Sequence, residues 1–283
     1  MVSESSRPWV LITGCSSGIG KALVAVCRGV GWGVVATARR LIDLTELPDG
    51  DDLRRVNLDV TSRESIASAV AACSDLRLVA LINNAGYGQM GPLEFVRPDE
   101  LRAQFETNVV GLQAVTNAFL PLIRKNALKG EGRIVHVASM LGRLSIPLAG
   151  PYNASKHAVV ALAETLRLEI GREIPVVLVE PGAVASSFRN TIANAWGDLP
   201  ERVKGTRYEQ ILAKFVKTRE QHAERFAGSP EQAARCILKA LTRKHPPRRI
   251  LIRPEARLAG WAKAMLPSAV WEWMLRRNYG LND

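Results

Sequence analysis

Apolar, strand-like runs alternate with helical stretches along the 283 residues, and this alternation predicts an α/β fold with one doubly wound parallel sheet of about seven strands. The runs are apolar on both faces, as expected for parallel strands covered by helices on two sides. No linker-like break or internal repeat interrupts the alternation. Hydrophobic residues make up 47% of the chain, which is enough for a substantial core. We therefore expect a single domain over residues 1–283.

The seven predicted strands follow one another along the whole chain. They cover Trp9–Ile12, Val34–Ala36, Arg55–Leu58, Leu78–Ile82, Ile134–Ala138, Val176–Val179 and Arg249–Ile252. The helical patterns extend to about Val30 after the first strand, from an N-cap at Thr61 or Ser62, from Asp99 to about Ile123, and from Pro151 to about Ile170. Because helices separate the strands, every strand can lie parallel to its neighbours.

Two segments depart from this alternation, and both follow residues 8–185. Residues 186–228 form an insertion with a helical pattern that is interrupted by Gly197 and Asp198. Residues 254–283 form a tail in which tryptophans stand beside basic residues. Pro267 is expected to divide this tail into two short helices.

The net charge of +11 is concentrated near the end of the chain. Residues 200–283 carry 18 Lys and Arg against 8 Asp and Glu, whereas residues 1–199 carry 20 against 19. The excess is either a solvated surface or a surface that attracts an anionic membrane, an acidic substrate or nucleic acid. Nucleic acid is the weakest of these interpretations because no recognised binding motif accompanies the charge.

The chain shows no signal for export or membrane insertion. Its first residues lack a charged and then apolar pattern, and no run of about 18 apolar residues is present. The four cysteines have neither C-x-x-C nor metal-site spacing, which suits a reducing compartment. We expect a cytoplasmic protein without a metal site.

A glycine-rich turn follows the first predicted strand and opens the first helix. It reads Thr13-Gly-Cys-Ser-Ser-Gly-Ile-Gly20. Glycines let the backbone turn sharply and approach a ligand, and free N–H groups at a helix N-terminus attract a pyrophosphate. Many such turns only pack a helix against a strand, so the prediction depends on the position in the first strand–turn–helix unit. This position indicates a dinucleotide site.

The end of the second predicted strand indicates which dinucleotide binds. Ala38 stands where an acidic residue would accept hydrogen bonds from the ribose of NAD. Arg39 can instead bind a 2′-phosphate through charge-assisted hydrogen bonds. NADP(H) is therefore the favoured cofactor and NAD the less favoured one. In the alternative interpretation, Arg39 and Arg40 are solvated charges and Asp43 reaches back to a ribose.

Ser139, Tyr152 and Lys156 supply complementary groups for moving a proton onto a carbonyl oxygen. Tyr152 and Lys156 are four residues apart and share one face of the predicted helix. A nearby ammonium favours the phenolate and lowers the pKa of a phenol from its ordinary value of about 10. Ser139 follows the strand Ile134–Ala138, where its hydroxyl can bond the same substrate oxygen. A Tyr-x-x-x-Lys pair often arises by chance, so this prediction depends on the other motifs.

Taken together, the motifs resemble those of the short-chain dehydrogenase/reductase family. The resemblance covers about residues 8–190 and implies a Rossmann-like fold, with the nucleotide-binding and catalytic core in residues 8–185. Its motifs are Thr13–Gly20, Asn83-Asn-Ala-Gly86, Asn108, Ser139, Tyr152-Asn-Ala-Ser-Lys156 and Pro181-Gly182, in the family's order and spacing. The glycine turn, the Thr-Ala-Arg at 37–39 and the Asn-Ala-Gly-Tyr-Gly at 84–88 look like the branch that contains 17β-hydroxysteroid and retinol dehydrogenases.

The resemblance implies a role for each matching residue. Tyr152 would be the general acid in reduction and the base in oxidation, Lys156 would lower its pKa, Ser139 would orient the carbonyl, and Asn108 would hold a water behind Lys156. The residues implied to bind the cofactor are Gly14, Ser16, Ser17, Gly18, Ile19 and Gly20 in the turn, Arg39 with Ser17 at the 2′-phosphate, Asp59 and Val60 at the adenine, Asn84, Ala85 and Gly86 near the sugars, Tyr152 and Lys156 at the nicotinamide ribose, and Pro181, Gly182, Val184 and Ser186 near the nicotinamide. The family usually has threonine at position 186, and serine keeps the hydroxyl.

An apolar set of residues is expected around the substrate. It comprises Met140, Leu141, Leu144, Ile146, Leu148, Phe188 and Trp196. Such a lining suits a hydrophobic alcohol or ketone resembling a steroid, a retinoid or a long-chain lipid. In the alternative interpretation, these side chains fill the core beneath the insertion and the substrate is small. His136 and His157 are interpreted as packing residues rather than ligands.

Several alternatives remain open at this point. The enzyme class competes with an epimerase or dehydratase of nucleotide sugars, which usually has a G-x-x-G-x-x-G turn and a larger C-terminal domain, and with a non-catalytic nucleotide-sensing protein, which commonly lacks the Tyr or the Lys. The basic tail could contact a membrane surface, cover the substrate or form a subunit contact. We expect a homo-oligomer, either a dimer or a tetramer. The substrate and the physiological direction are not specified by the motifs.

Overall fold

The computed structural model describes residues 7–185, 188–252, 260, 262–263 and 265–281. Its centre is a seven-stranded sheet in the order β3-β2-β1-β4-β5-β6-β7, in which every neighbouring pair is parallel. The strands are β1 (Trp9–Ile12), β2 (Gly33–Ala38), β3 (Leu53–Asn57), β4 (Leu78–Asn83), β5 (Arg133–Val137), β6 (Val176–Pro181) and β7 (Arg249–Ile252). The order reverses between β1 and β4, which confirms the doubly wound fold class predicted from the alternation.

The helices lie between and after the strands. They are α1 (Gly18–Arg28), α2 (Arg63–Ala71), α3 (Pro98–Phe105), α4 (Leu112–Asn126), α5 (Gly150–Ile170), α6 (Phe188–Trp196), α7 (Leu199–Val203), α8 (Tyr208–Phe226), α9 (Pro230–Thr242) and α10 (Ser268–Tyr279). Ser62 is the N-cap of α2, where its Oγ accepts a hydrogen bond from the Ser65 N–H at 3.1 Å. The structure corrects one prediction. The expected single helix Asp99–Ile123 consists of two helices, α3 and α4, which are joined by a π-helical segment, Glu106–Gly111.

The strand bounds differ from the predicted ones most clearly at β3, which begins at Leu53 and not at Arg55. This strand lies at an open edge of the sheet, and its arginines are held by polar partners there. The guanidinium of Arg54 pairs with Asp75 at 2.6 Å, and that of Arg55 donates to the Leu44 carbonyl at 3.0 Å. A hydrophobic pattern cannot find the start of a strand whose edge residues are charged.

Two apolar clusters cover the two faces of the sheet, and successive residues of β1 point into different clusters. Val10 and Ile12 pack in the cluster that contains residues of α1 and α9. Trp9 and Leu11 pack in the cluster that contains residues of α2 and α4. All four β1 side chains are buried, so the strand is apolar throughout because both of its faces lie in the core.

A third apolar cluster lies beyond the sheet and joins the β5–α5 connection to the helices of the insertion and to α10. The insertion is helical as predicted, and Gly197, with a φ of +51°, lies in the turn between α6 and α7. In the tail, Pro267 directly precedes α10. The rings of Tyr279 in α10 and Phe215 in α8 lie 6.0 Å apart between centroids, so α10 packs on the insertion. None of the described helices is long and apolar enough to cross a membrane.

Candidate active site

The catalytic side chains predicted from the sequence come together at the carboxyl ends of β4, β5 and β6. These strands are neighbours, with Asn83 beside His136 and Val137 beside Val179 in the register. Ser139 comes two residues after β5, and α5 carries Tyr152 and Lys156 back beside the same strand end. Ligands of open α/β sheets bind along this edge.

Tyr152 and Lys156 lie close together in a buried environment. The Lys156 Nζ is 5.8 Å from the centroid of the Tyr152 ring and donates a hydrogen bond to the Val137 carbonyl oxygen at 2.9 Å. The two side chains are only 7% and 6% exposed. Burial lowers the pKa of Lys156 to about 8, because removing the ammonium from water disfavours the charged form. The Phe188 ring covers Tyr152, with 5.7 Å between ring centroids.

Ser139 shapes the turn in which it lies. Its Oγ accepts a hydrogen bond from the Leu141 N–H at 3.1 Å and caps a 3₁₀ turn over Met140–Gly142. The side chain is buried at the edge of the third apolar cluster. Because the serine oxygen acts as acceptor in this bond, its hydroxyl hydrogen can still be donated to a substrate oxygen.

Asn108 belongs to the π-helical segment and is fully engaged by neighbouring groups. Its Oδ1 accepts from the Tyr87 N–H at 3.1 Å, and its Nδ2 donates to the Tyr87 carbonyl at 3.0 Å and to the Ser155 Oγ at 3.1 Å. A Cβ placed on Gly86 would lie 2.9 Å from the Asn108 Oδ1 and 3.8 Å from the Lys156 Nζ. Asn108 therefore joins the segment after β4 to α5 beside Lys156, and its expected hold on a water remains a prediction.

The glycine turn is built as a dinucleotide site requires. Gly14 has a φ of +72°, which favours glycine, and a Cβ on Gly20 would lie 2.0 Å from the Gly14 carbonyl oxygen. Asn84 supports the turn from β4, since its Nδ2 donates to the carbonyl oxygens of Thr13 and Gly14 at 2.9 and 3.0 Å. Ser17 is the N-cap of α1, and its side chain makes no capping hydrogen bond.

At the end of β2, the two arginines have different surroundings. Arg40 makes two hydrogen bonds to the carboxylate of Asp43, at 2.6 and 3.1 Å. Arg39 is exposed, and within the described parts of the chain no carboxylate forms an ion pair with it. Its backbone carbonyl accepts from the Asn57 Nδ2 at 2.6 Å, which holds it at the strand end. Asp43 is thus occupied, and the Arg39 guanidinium is accessible.

The other predicted cofactor residues lie at the same edge of the sheet. The Asp59 Oδ1 accepts from the backbone N–H and the hydroxyl of Thr61, at 2.9 and 2.7 Å, so this carboxylate also shapes the start of α2. Ala85 donates its N–H to the Thr13 Oγ1 at 2.9 Å. The remaining ones are Ser16, Gly18 and Ile19 in the turn, the buried Val60, Pro181 at the end of β6, and Gly182 and Val184 after it. Ser186 lies outside the described residues.

Every residue expected around the substrate lies in the third apolar cluster, and Tyr152 lies there too. Leu141, Leu144 and Leu148 are buried, and the partly buried members predicted from the sequence are Met140, Ile146, Phe188 and Trp196. Further members were not predicted as lining residues: Met90, Ile192, Leu212, Phe215, Trp271 and Tyr279. They come from distant parts of the chain, so only the three-dimensional packing brings them into the cluster that contains Tyr152.

The two histidines considered in the sequence contact neighbouring polar groups. His136 is buried, with its Nδ1 3.1 Å from the Asn83 Nδ2, and burial lowers its pKa to about 4. The His157 Nδ1 is 2.8 Å from the Asn153 carbonyl oxygen. Across the part of the chain that the structure describes, no group of three His, Cys, Asp or Glu side chains could hold a metal ion.

A buried carboxylate next to the site was missed by the sequence analysis. Glu180 in β6 is completely buried, and its Oε1 accepts from the Arg249 Nη1 at 2.8 Å. Its Oε2 is 3.8 Å from the Nη1 of Arg143, the residue that follows the Ser139 turn. Arg249 also pairs with Glu164 in α5 at 2.5 Å. The sequence feature that could have revealed this carboxylate is a glutamate at the end of an otherwise apolar strand, because a charged residue is seldom buried without a partner.

Comparison with known proteins finds similarity over most of the chain. The short chain dehydrogenase family model matches residues 8–196. The uncharacterized oxidoreductase YusZ of Bacillus subtilis is 32% identical over 279 residues, which cover 94% of this chain and 96% of that protein. The 17-beta-hydroxysteroid dehydrogenase type 6 of Rattus norvegicus is 31% identical over 294 residues, covering 97% and 90%. Retinol dehydrogenase 7 of the same species is 32% identical over 260 residues, covering 87% and 80%.

Solved structures share the fold. A short chain dehydrogenase from Burkholderia cenocepacia in complex with NADP has a TM-score of 0.72 at 23% identity, and the match covers 94% of this chain and 97% of that one. A short chain dehydrogenase/reductase from Burkholderia phymatum in complex with NAD has a TM-score of 0.77 at 25% identity, covering 92% and 94%. Structures with this fold are thus known with either nicotinamide cofactor.

Proposed function

Because the chain belongs to the short-chain dehydrogenase family and is an oxidoreductase, we propose that it interconverts a hydrophobic alcohol and its ketone or aldehyde with NADP(H). The observation that carries this proposal is the meeting of Ser139, Tyr152 and Lys156 in one buried site at the edge of an apolar cluster. Family membership agrees with the motifs, and the relatives include the steroid and retinol dehydrogenases whose branch the motifs resemble.

The cofactor site is proposed from residues that fit a dinucleotide. The N-terminus of α1 offers free N–H groups to a pyrophosphate, and the glycine turn lets the backbone approach it. Arg39 and Ser17 are placed in this proposal at the 2′-phosphate, with Asp59 and Val60 at the adenine. The proposed set is completed by Asn84, Ala85 and Gly86 after β4, Pro181 at the end of β6, Gly182, Val184 and Ser186 after it, and Tyr152 and Lys156 at the nicotinamide ribose.

NADP(H) is favoured over NAD(H) by the charges at the end of β2. The exposed guanidinium of Arg39 suits a dianionic phosphate, whereas both carboxylate oxygens of Asp43 already accept hydrogen bonds from Arg40. NAD(H) is the alternative, since a structure of the same fold has been solved with NAD.

In the proposed reduction, Tyr152 transfers the proton and the other residues make that transfer possible. The Ser139 hydroxyl donates to the substrate carbonyl oxygen and holds it near the phenol. The Tyr152 O–H gives its proton to this oxygen, and the positive charge of Lys156 stabilises the phenolate that remains. The nicotinamide supplies the hydride when the cofactor is bound. In oxidation, Tyr152 takes the proton back from the alcohol.

We propose a steroid-, retinoid- or lipid-like substrate. The side chains that pack around Tyr152 are apolar, and Phe188 and Trp196 extend this apolar surface into the insertion. Two relatives are named as a 17-beta-hydroxysteroid dehydrogenase and a retinol dehydrogenase, and both names indicate hydrophobic substrates of this kind. A small carbonyl compound is the alternative.

A panel of steroids, retinoids and aliphatic aldehydes and alcohols, assayed with both nicotinamides, tests this proposal. We expect turnover of at least one hydrophobic member, with NADP(H) preferred. Arg39→Ala should raise the KM for NADPH by about tenfold or more, because charge-assisted hydrogen bonds to the phosphate are worth roughly 1.5–3 kcal/mol. The KM for NADH should stay unchanged.

Arg63→Ala is the matched control, since Arg63 is an exposed arginine at the start of α2. It should leave both KM values unchanged. Turnover with NADH alone, or an Arg39→Ala enzyme with an unaltered KM for NADPH, would refute the cofactor assignment. Activity confined to small aldehydes would refute the substrate class.

A further inference from the structure

Helix α10 has an inner apolar side that packs on the rest of the molecule. Trp271, Leu275 and Tyr279 recur every four residues along this side and are partly buried. Trp271 and Tyr279 belong to the third apolar cluster, and the Tyr279 ring contacts the Phe215 ring. This side holds α10 in place on α8.

The same helix has a second apolar side that faces outward. Val270, Trp273, Met274 and Arg277 are spaced i, i+3, i+4 and i+7, so they share one face, which we name the outer face of α10. Val270, Trp273 and Met274 are 41%, 54% and 44% exposed. Single exposed apolar residues are normal, but a row of them along one helix face indicates a contact surface.

Two arginines give positive charge to one end of the outer face. Arg277 lies on it, with its guanidinium carbon 5.6 Å from the centroid of the Trp273 ring, and the exposed Arg276 flanks it. Glu272 is the acidic residue of α10. The last 84 residues carry a net charge of +10, so α10 belongs to the most basic part of the chain.

We propose that the outer face of α10 lies on an anionic membrane surface, with the helix axis in the plane of the bilayer. Tryptophan prefers the boundary between acyl chains and headgroups, and arginine can extend its guanidinium from that boundary to lipid phosphates. At 12 residues the helix is about 18 Å long, whereas the hydrocarbon core is about 30 Å thick, so α10 lies on the membrane and does not span it.

A second copy of this chain is the competing occupant of the outer face. Charge argues against it, because two such faces in contact would bring the arginines of both copies together. A lipid surface with phosphate groups instead offers the opposite charge at the place where Arg276 and Arg277 lie. The proposal does not depend on which substrate the enzyme uses.

Sedimentation with lipid vesicles tests the proposal on the full chain. We expect the protein to pellet with vesicles of phosphatidylcholine and phosphatidylglycerol and to remain in the supernatant with phosphatidylcholine alone. The double variant Trp273→Ser and Met274→Ser should bind the anionic vesicles about tenfold or more weakly, because it removes most of the apolar area of the outer face. Arg276→Gln with Arg277→Gln should weaken binding as well, and added salt should reduce the difference from the wild type.

Leu128→Ser is the matched control, because Leu128 is 71% exposed at a site outside the tail. It should pellet like the wild type, and all variants should keep the wild-type Tm and NADPH binding. Equal pelleting with the two kinds of vesicle, or unchanged pelleting of the Trp273 and Met274 variant, would overturn the proposal. So would a wild-type dimer that becomes monomeric in this variant without any lipid binding, since that result assigns the face to a second copy.

Discussion

Lys156 is the residue on which the candidate site depends most, and its position carries an energetic cost. The ammonium is buried beside the Tyr152 ring and donates to the Val137 carbonyl. Desolvation disfavours the charged form, which lowers the pKa of Lys156 from 10.5 to about 8. The folded state is thus destabilised by a buried cation beside the phenol, and pKa shifts of this kind are concentrated at functional sites.

This cost predicts a pH dependence of stability that Lys156→Met should remove. Between about pH 8 and pH 10.5 the folded protein has released the Lys156 proton while the unfolded chain still holds it, so the free energy of unfolding rises with pH. We expect the wild type to gain about 2 kcal/mol in total relative to Lys156→Met between pH 8 and pH 10, because Lys156 is only half deprotonated in the folded protein at pH 8. Urea unfolding of the cofactor-free proteins measures this difference.

Lys125→Met provides the comparison, because Lys125 is exposed on α4. This variant should follow the wild type across the same pH range. A difference between wild type and Lys156→Met that stays constant from pH 7 to pH 10 would contradict the assigned burial of the ammonium.

At the scale of elements, the sequence predicts the helices well but not their local geometry. The pattern from Asp99 to Ile123 is helical throughout, yet the structure has a π-helical segment at Glu106–Gly111. The backbone of Tyr87, which is distant in sequence, bonds the Asn108 side chain in this segment. Periodicity reports which face of a helix is buried, and it carries no information on a contact made by another segment.

The ion pairs around Arg249 support the elements that meet behind the Ser139 turn. Arg249 of β7 pairs with two carboxylates, Glu180 on the buried strand β6 and Glu164 on the half-exposed side of α5. The two pairs share a partner and differ in burial, since the Glu180 side chain is 0% exposed and the Glu164 side chain 48%. We expect burial to decide their importance.

Glu180→Gln should lower the free energy of unfolding by about 2 kcal/mol, because it removes the enclosed counter-charge of Arg249. Burial raises the pKa of the Glu180 carboxyl, so loss of this charge also relieves a desolvation cost that offsets part of the effect. Glu164→Gln should cost less than about 1 kcal/mol, as expected for a solvated pair. Urea denaturation of both variants measures the two losses. Equal losses would show that the buried pair has no special role in joining β6, β7 and the Ser139 turn.

At the scale of the whole molecule, the alternation of apolar strands and helices is sufficient to predict the sheet. The position of the candidate catalytic groups follows from the sheet, because parallel strands place their carboxyl ends at one edge. The third apolar cluster does not follow, since Trp271 and Tyr279 reach it only through the packing of α10 on α8. Charge and tryptophan content mark the tail as an amphiphilic segment without specifying which side packs inward.

In the proposed function, Tyr152 supplies the proton that accompanies hydride transfer from NADPH to a hydrophobic carbonyl compound. The most direct test of this role uses NADPH deuterated at the transferred position and the ketone from the panel that reacts fastest. The wild type should place one deuterium on the carbonyl carbon of each product alcohol. Tyr152→Phe should bind NADPH as the wild type does and form the deuterated alcohol at least about a hundredfold more slowly, because it lacks the acid. Deuterated product from Tyr152→Phe at the wild-type rate would contradict the assignment of Tyr152 as the acid.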